Sequence, residues 1–146
     1  MSRKAKLVPL LAALLICCGR PGAGGNASSS DWIQDDFALA SARADSLGKP
    51  LLIDLYADWC GPCRTLAQDY FTDPSIQPLL ENFVLLRVNV DSDAGGPLAR
   101  RYAVEAIPCV VVASADGSEI SRLVGVTPTV DQYRSQLQQI IEGLGR

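Results

Sequence analysis

Apolar residues along this chain recur in two rhythms, and each predicts a different kind of element. Two stretches are almost unbroken: "LLIDLYA" at 51–57 and "FVLLRVNV" at 83–90. Runs of that length read as strands buried on both faces of a sheet. Elsewhere the apolar residues return every three or four positions. Phe37, Ala40, Ala44 and Leu47 mark one helical face, with Asp35 or Asp36 as cap and Gly48-Lys49-Pro50 as stop. Val130, Tyr133, Leu137, Ile140, Ile141 and Leu144 mark another, capped by Thr127-Pro128. Gly61-Pro62 opens a helix running on through Leu66 and Ala67, Asp73-Pro74 caps and starts a short one, and another short one begins near Gly96-Pro97. "DWIQ" reads as a short opening strand, and Asp116-Gly117 as the turn of a hairpin within 109–125. Strands alternating with helices and ending in a hairpin predict an α/β domain, a central mixed sheet with helices on both faces.

Residues 1–30 break both rhythms. Arg3, Lys4 and Lys6 form a basic start, and Leu7 to Cys18 an apolar run of 12 residues. That is short of the roughly 20 needed to span a bilayer, so the segment reads as an export signal. "GRPGAGGNASSS" then reads as a flexible tether, and the folded domain is expected over 31–146. "LLICCG" resembles a bacterial lipoprotein signal, with Leu15 three residues before Cys18 as the lipidated residue. Cleavage near Ala23 to Gly25, releasing a soluble secreted protein, is the alternative. Either way the domain is expected outside the cytoplasm, in the periplasm, free or held by a lipid anchor.

Composition narrows the chemistry. The 146 residues are 48% apolar and 20% charged, with a net charge of −3, so a nucleic-acid partner is not expected. There is no histidine, which removes most zinc sites and every Cys-His or Ser-His nucleophile pair. Of five cysteines, Cys17 and Cys18 belong to the export segment, leaving Cys60, Cys63 and Cys109. Three are too few for a disulfide scaffold or a four-ligand structural zinc, and covalent haem attachment would need a His where Arg64 stands. A redox pair remains, with a structural disulfide as its bland alternative. Cys60 would lie at a helix N-terminus, where free N–H groups stabilise a thiolate, and Cys63 one turn in and more shielded. Cys60 would then attack and Cys63 resolve the mixed disulfide.

"YADWCGPCR" at 56–64 resembles the thioredoxin superfamily, and "DLYADWCGPC" with "FTDPSIQPLL" resembles most the C-terminal domain of the DsbD proteins. The likeness runs over roughly residues 32–144. Gly61-Pro62 is the dipeptide of thioredoxin itself, where DsbD domains usually carry other residues. The resemblance implies a thioredoxin fold and several roles. Asp54, six residues before Cys60, matches the buried acid that takes the proton from Cys63, with an Asp near the sheet edge and no catalytic part as its plainer reading; Arg87 falls where a Lys faces that acid, with a solvated strand-end Arg as the plainer reading. Ile107-Pro108 matches the cis-proline loop, which would lie beside Cys60 and pair with an extended substrate. Trp59, Gly61 and Pro62 would complete the substrate platform, with core packing as the alternative for Trp59. Cys109 follows the proline as a core residue or a third thiol.

The resemblance thus implies a monomeric exported protein-disulfide reductase that needs no bound cofactor or metal. Its substrates would be exported proteins with wrong disulfides or apocytochromes awaiting haem, and its electron donor a membrane reductant carrier. An isomerase or oxidase is the neighbouring alternative; a tethered copper-delivery module on the same fold is the alternative from another class.

Overall fold

The computed structural model describes residues 31–145, and the segment expected to direct export, with Cys18, lies outside them. Within that range the elements follow in the order β1 (Ile33–Gln34), α1 (Phe37–Leu47), β2 (Leu51–Tyr56) and α2 (Gly61–Thr65), which continues as a π-helical turn over Leu66–Tyr70. Then come α3 (Gln77–Leu80), β3 (Val84–Asn89), α4 (Gly95–Arg101), β4 (Cys109–Ala113), β5 (Glu119–Val124) and α5 (Val130–Leu144). The sheet order is β1-β3-β2-β4-β5, with β2 parallel to β3 and β4 antiparallel to β2. It is the mixed sheet that the alternation of patterns predicts.

Side-chain alternation divides the core between two layers. Leu51, Ile53 and Leu55 point to the face covered by Ala40 and Ala44 of α1 and by Leu98 and Tyr102 at α4. Leu52, Leu85, Val110 and Val112 point to the other face, under Leu66, Tyr70, Leu80, Tyr133 and Leu137. Each fully buried aliphatic side chain contributes about 1.5–3 kcal/mol, so β2, buried from Leu51 to Leu55, is the centre of the fold. The aromatic residues lock the second layer, with Tyr70 edge-on to Tyr133 at 5.6 Å and Trp32 tilted on Phe71 at 5.0 Å.

Element ends differ from the sequence reading for local reasons. The carboxylate of Asp36, not Asp35, caps α1 by accepting from Leu39 N at 2.9 Å, and Gly48 ends it at φ +62°. Asp73-Pro74 does not start a helix: Asp73 Oδ1 accepts from Ser75 N and Ser75 Oγ, and that turn delays α3 to Gln77. The cap of α5 is Thr129, whose side chain accepts from Gln132 N, while Thr127 Oγ1 is turned to Thr129 O. The helix opened by Gly61-Pro62 widens into its π turn where Phe71 N bonds Leu66 O at 2.9 Å, and both Tyr70 and Phe71 are buried. Among the described residues no helix is long and apolar enough to cross a membrane.

Where β3 hands over to α4, the backbone comes very close to itself. A Cβ on Gly95 would stand 1.8 Å from the Asn89 carbonyl oxygen, whereas one on Gly96 would have Arg100 Nη1 as its nearest neighbour at 3.6 Å. Gly95→Ala should therefore lower the unfolding free energy by about 3 kcal/mol. Gly96→Ala should raise it by up to about 1 kcal/mol through helix propensity. Urea unfolding of the two variants side by side checks this; equal midpoints would show that the approach at Gly95 is no constraint.

Candidate active site

The loop after β2 turns at once into α2, because Cys60 N bonds Ala57 O at 3.1 Å and Pro62 supplies a helical φ in the first turn. Cys60 is the N-cap, in extended conformation, and its Sγ accepts the Cys63 N–H at 3.2 Å. The two sulfurs are joined in a disulfide, with the Cα atoms 5.3 Å apart. Cys60 is 4% exposed and Cys63 not at all, so attack from outside meets Cys60 first. Ala57 and both cysteines form a small apolar cluster with Tyr56, Val90 and Ile107 packed around it.

Three loops meet there. The Ile107–Pro108 peptide bond is cis, as the resemblance implies, and Ile107 packs against the disulfide cluster. Pro108 O accepts from Gly125 N, but the backbone of Ile107 makes no such bond within the described chain. Trp59 is 70% exposed, which excludes the core-packing alternative. Its indole Nε1–H donates to Asp91 Oδ2 at 2.8 Å, fixing an apolar plate beside the cysteines. Gly61 faces open space, where an added Cβ would meet nothing within 4 Å.

A polar network on the end of β3 holds this arrangement, and sequence reading missed it. Asn89 donates from Nδ2 to Asp58 Oδ2 at 3.1 Å and accepts at Oδ1 from Asp91 N at 3.0 Å. Asp35, at φ +51°, accepts at one oxygen from Asn89 N and Ser92 Oγ. One signal was available: β2 and β3 are long apolar runs, and parallel neighbours bring their C-terminal ends together. The "NVDSD" after one should therefore meet the "YADWC" after the other.

Asp54 lies in the middle of β2, with no exposure at all. Pairing of β2 with β3 sets it opposite Arg87, whose Nε comes to 3.1 Å from Asp54 Oδ2. That N–H is not aimed along a hydrogen-bond line, so both carboxylate oxygens lack a donor. Burial drives the carboxyl up to about 6, against the lowering pull of Arg87. Arg87 is not a solvated strand-end residue. Its guanidinium lies 4.0 Å from the centre of the Tyr56 ring, and it lines a groove of about 510 Å³ with Tyr56, Asp58, Cys63, Arg64 and Thr72. The groove reaches the buried cysteine from outside, and Arg87 joins it to Asp54.

Cys109 stands apart from this chemistry. It is buried among Leu51, Ile53 and Val111 on the α1/α4 face, and burial pushes its thiol up. Among the described residues, no three Cys, Asp or Glu converge as a metal site.

Comparison with known proteins agrees with the geometry. The sequence model of the thioredoxin-like family matches residues 31–115. The "Thiol:disulfide interchange protein DsbD" of Citrobacter koseri is 38% identical over 84 residues, which are 56% of this chain and 15% of that protein. The chain thus spans only a small part of the curated relatives that it matches. Among solved structures, a thioredoxin from Thermus thermophilus superposes with a TM-score of 0.64 at 27% identity, covering 76% of this chain and 88% of that one. The oxidised C-terminal domain of Neisseria meningitidis DsbD gives 0.58 at 25% identity, covering 70% and 90%.

The raised carboxyl makes a pH-dependent stability prediction. Asp54 titrates near 6 in the folded chain and near 3.8 when unfolded, so the folded state holds the extra proton between those values. Stability is lost as pH rises through that window, by about 3 kcal/mol. Asp54→Asn removes this loss, so its stability relative to the parent should be greater at pH 7 than at pH 4. Other carboxylates, such as Asp73 and Asp116, cancel in that difference. Chemical denaturation at the two pH values measures it, and an equal difference at both would mean Asp54 titrates as an ordinary carboxylate.

Proposed function

The chain belongs to the thioredoxin-like family and is a thiol–disulfide oxidoreductase by class, and from that premise we propose that it is an exported protein-disulfide reductase. The observation that carries this reading is the inequality of the two sulfurs: Cys60 at the helix cap, accepting an N–H, and Cys63 wholly buried behind it. In the reduced protein the Cys60 thiolate attacks a substrate disulfide, forming a mixed disulfide and releasing one substrate thiolate. Asp54 takes the proton of the Cys63 thiol, and the resulting thiolate attacks Cys60 Sγ. The second substrate sulfur leaves as a thiolate, to which Asp54 can return the proton, and two electrons have passed to the substrate. The Cys60–Cys63 disulfide seen here is the oxidised end of that cycle.

The Trp59 plate and the unbonded Ile107 backbone form the docking edge for an extended substrate, with Gly61 and Pro62 leaving room for it. The absence of histidine favours the reducing direction, since no imidazolium stands beside Cys60 to stabilise its thiolate. A membrane reductant carrier would return the electrons. Substrates would be exported proteins with wrong disulfides, or apocytochromes. Residues 1–30 would direct export, with Cys18 as the lipid-bearing residue that tethers the domain 31–146.

Turnover of a disulfide-bonded protein by a dithiol donor should vanish in Cys60→Ser, while Cys63→Ser should accumulate mixed disulfides visible on non-reducing gels. Asp54→Asn should slow resolution about 100-fold at pH 7, with the loss shrinking at alkaline pH, where Cys63 ionises unaided. Undiminished turnover in Cys60→Ser would sink the mechanism. For the anchor, a labelled fatty acid should be incorporated by the parent in a bacterial host and not by Cys18→Ser. No label in the parent would leave a secreted protein with a linker.

A further inference from the structure

Arg87 faces Asp54 from one side and the groove from the other, and the ion pair by itself does not fix the direction of its guanidinium. Its contact with Asp54 misses hydrogen-bond geometry, and its side chain is 26% exposed. Part of the guanidinium reaches water, and a single misaligned contact with the buried carboxylate leaves its direction unfixed. Against its other side lies the Tyr56 ring, with its centre 4.0 Å from the central carbon of the guanidinium. Tyr56 ends β2 two residues after Asp54, so its side chain emerges on the same face of the sheet. The neighbouring strand places Arg87 against Asp54 in register, and Tyr56 O accepts Val90 N at 2.8 Å, which holds the two strands together beyond that point.

We propose that Tyr56 is a positioning residue: its ring holds the Arg87 guanidinium against the Asp54 carboxylate and thereby sets the pH at which Asp54 gives up its proton. The cation–ring attraction is favoured by the partial desolvation of the groove. The other groups around Asp54 do not substitute for Arg87. Tyr133 on α5 and Cys109 on β4 are neutral and buried, Tyr56 contributes its ring, and Cys63 on α2 is either in the disulfide or a thiol awaiting deprotonation. Arg87 is the cation that opposes the effect of burial on Asp54. Without the ring it spends its time in solvent, Asp54 holds its proton to higher pH, and Cys63 is served less well at neutrality.

The catalytic consequence rests on the proposed role of Asp54, so the test reads the carboxyl and the reaction separately. The Asp54 side-chain carbon is titrated by NMR in the full chain with its disulfide closed, for the parent, Tyr56→Phe and Tyr56→Leu. Tyr56→Met is made alongside in case Leu prevents folding. Tyr56→Phe keeps the ring and should keep the parental midpoint; Tyr56→Leu and Tyr56→Met should raise it by roughly half a unit to one unit. Resolution of a mixed disulfide should then show its pH profile displaced upward by the same amount, with Phe again parental. A parental midpoint in Leu or Met, or a shift in Phe as large as theirs, overturns the positioning role. A raised midpoint with an unmoved resolution profile supports the positioning of Arg87 and instead removes Asp54 as the proton acceptor.

Discussion

A carboxylate in the middle of a fully buried strand is the constraint around which this end of the molecule is arranged. Asp54 has apolar neighbours along its own strand, and among the described residues no well-aligned donor reaches its oxygens. An isolated charge there would be costly enough to stay protonated at any physiological pH. A single cation changes that, and its position follows from strand register. Because β2 and β3 run parallel with Asp54 opposite Arg87, the guanidinium arrives from the next strand on the same face. A slip of one residue would bury Arg87 among Ala40 and Ala44 of the other layer and leave Asp54 facing a valine or leucine.

The same parallel pairing explains why the reactive pair is framed by polar residues rather than by a second helix. The ends of β2 and β3 lie side by side, so the segments that follow them share one space. Asn89 bridges them, donating to Asp58 on one and accepting from Asp91 on the other, and Asp91 in turn fixes the Trp59 indole. Asp35 holds a left-handed backbone conformation within this network, where Asn89 N and Ser92 Oγ satisfy one of its oxygens and Arg87 O takes its own N–H. Strain of that kind persists where surrounding bonds over-determine it, and here they tie the end of the first strand to β3 and to the loop that carries Asp91.

Legibility in the sequence followed the physics of each feature. Buried strands and long helices leave periodic apolar patterns, so β2, β3, β4, α1 and α5 could be placed to within a residue or two. The cysteine pair was legible because a strand, a Gly-Pro and a helix start leave few other uses for it. Asp54 and the proline loop were named from resemblance, with nothing in their own periodicity to require them. The Asn89 network was not read, because hydrogen bonds among surface polar residues impose no repeat on the chain. Asp73-Pro74 misled for a related reason: an Asp before a Pro suits a helix cap and a simple turn equally, and the Ser75 hydroxyl decided for the turn. The Tyr56–Arg87 stack needed the strand register, which only the folded chain supplies.

For the proton-acceptor role proposed for Asp54, the imperfection of its contact with Arg87 is an advantage. Were Arg87 to engage the carboxylate through two aligned N–H groups, the acid would fall well below the usual carboxylate range and would make a poor acceptor for a thiol proton. Were Arg87 absent, burial alone would hold the proton too tightly for it to be surrendered again. Burial opposed by one off-line, partly solvated cation leaves the carboxyl near 6, between those limits. A base works best when its own pKa lies near the pH at which it operates, and this balance delivers that from three side chains. On that proposed role, an acid whose burial raises its pKa in an otherwise apolar strand has a use that sets its cost to stability in context.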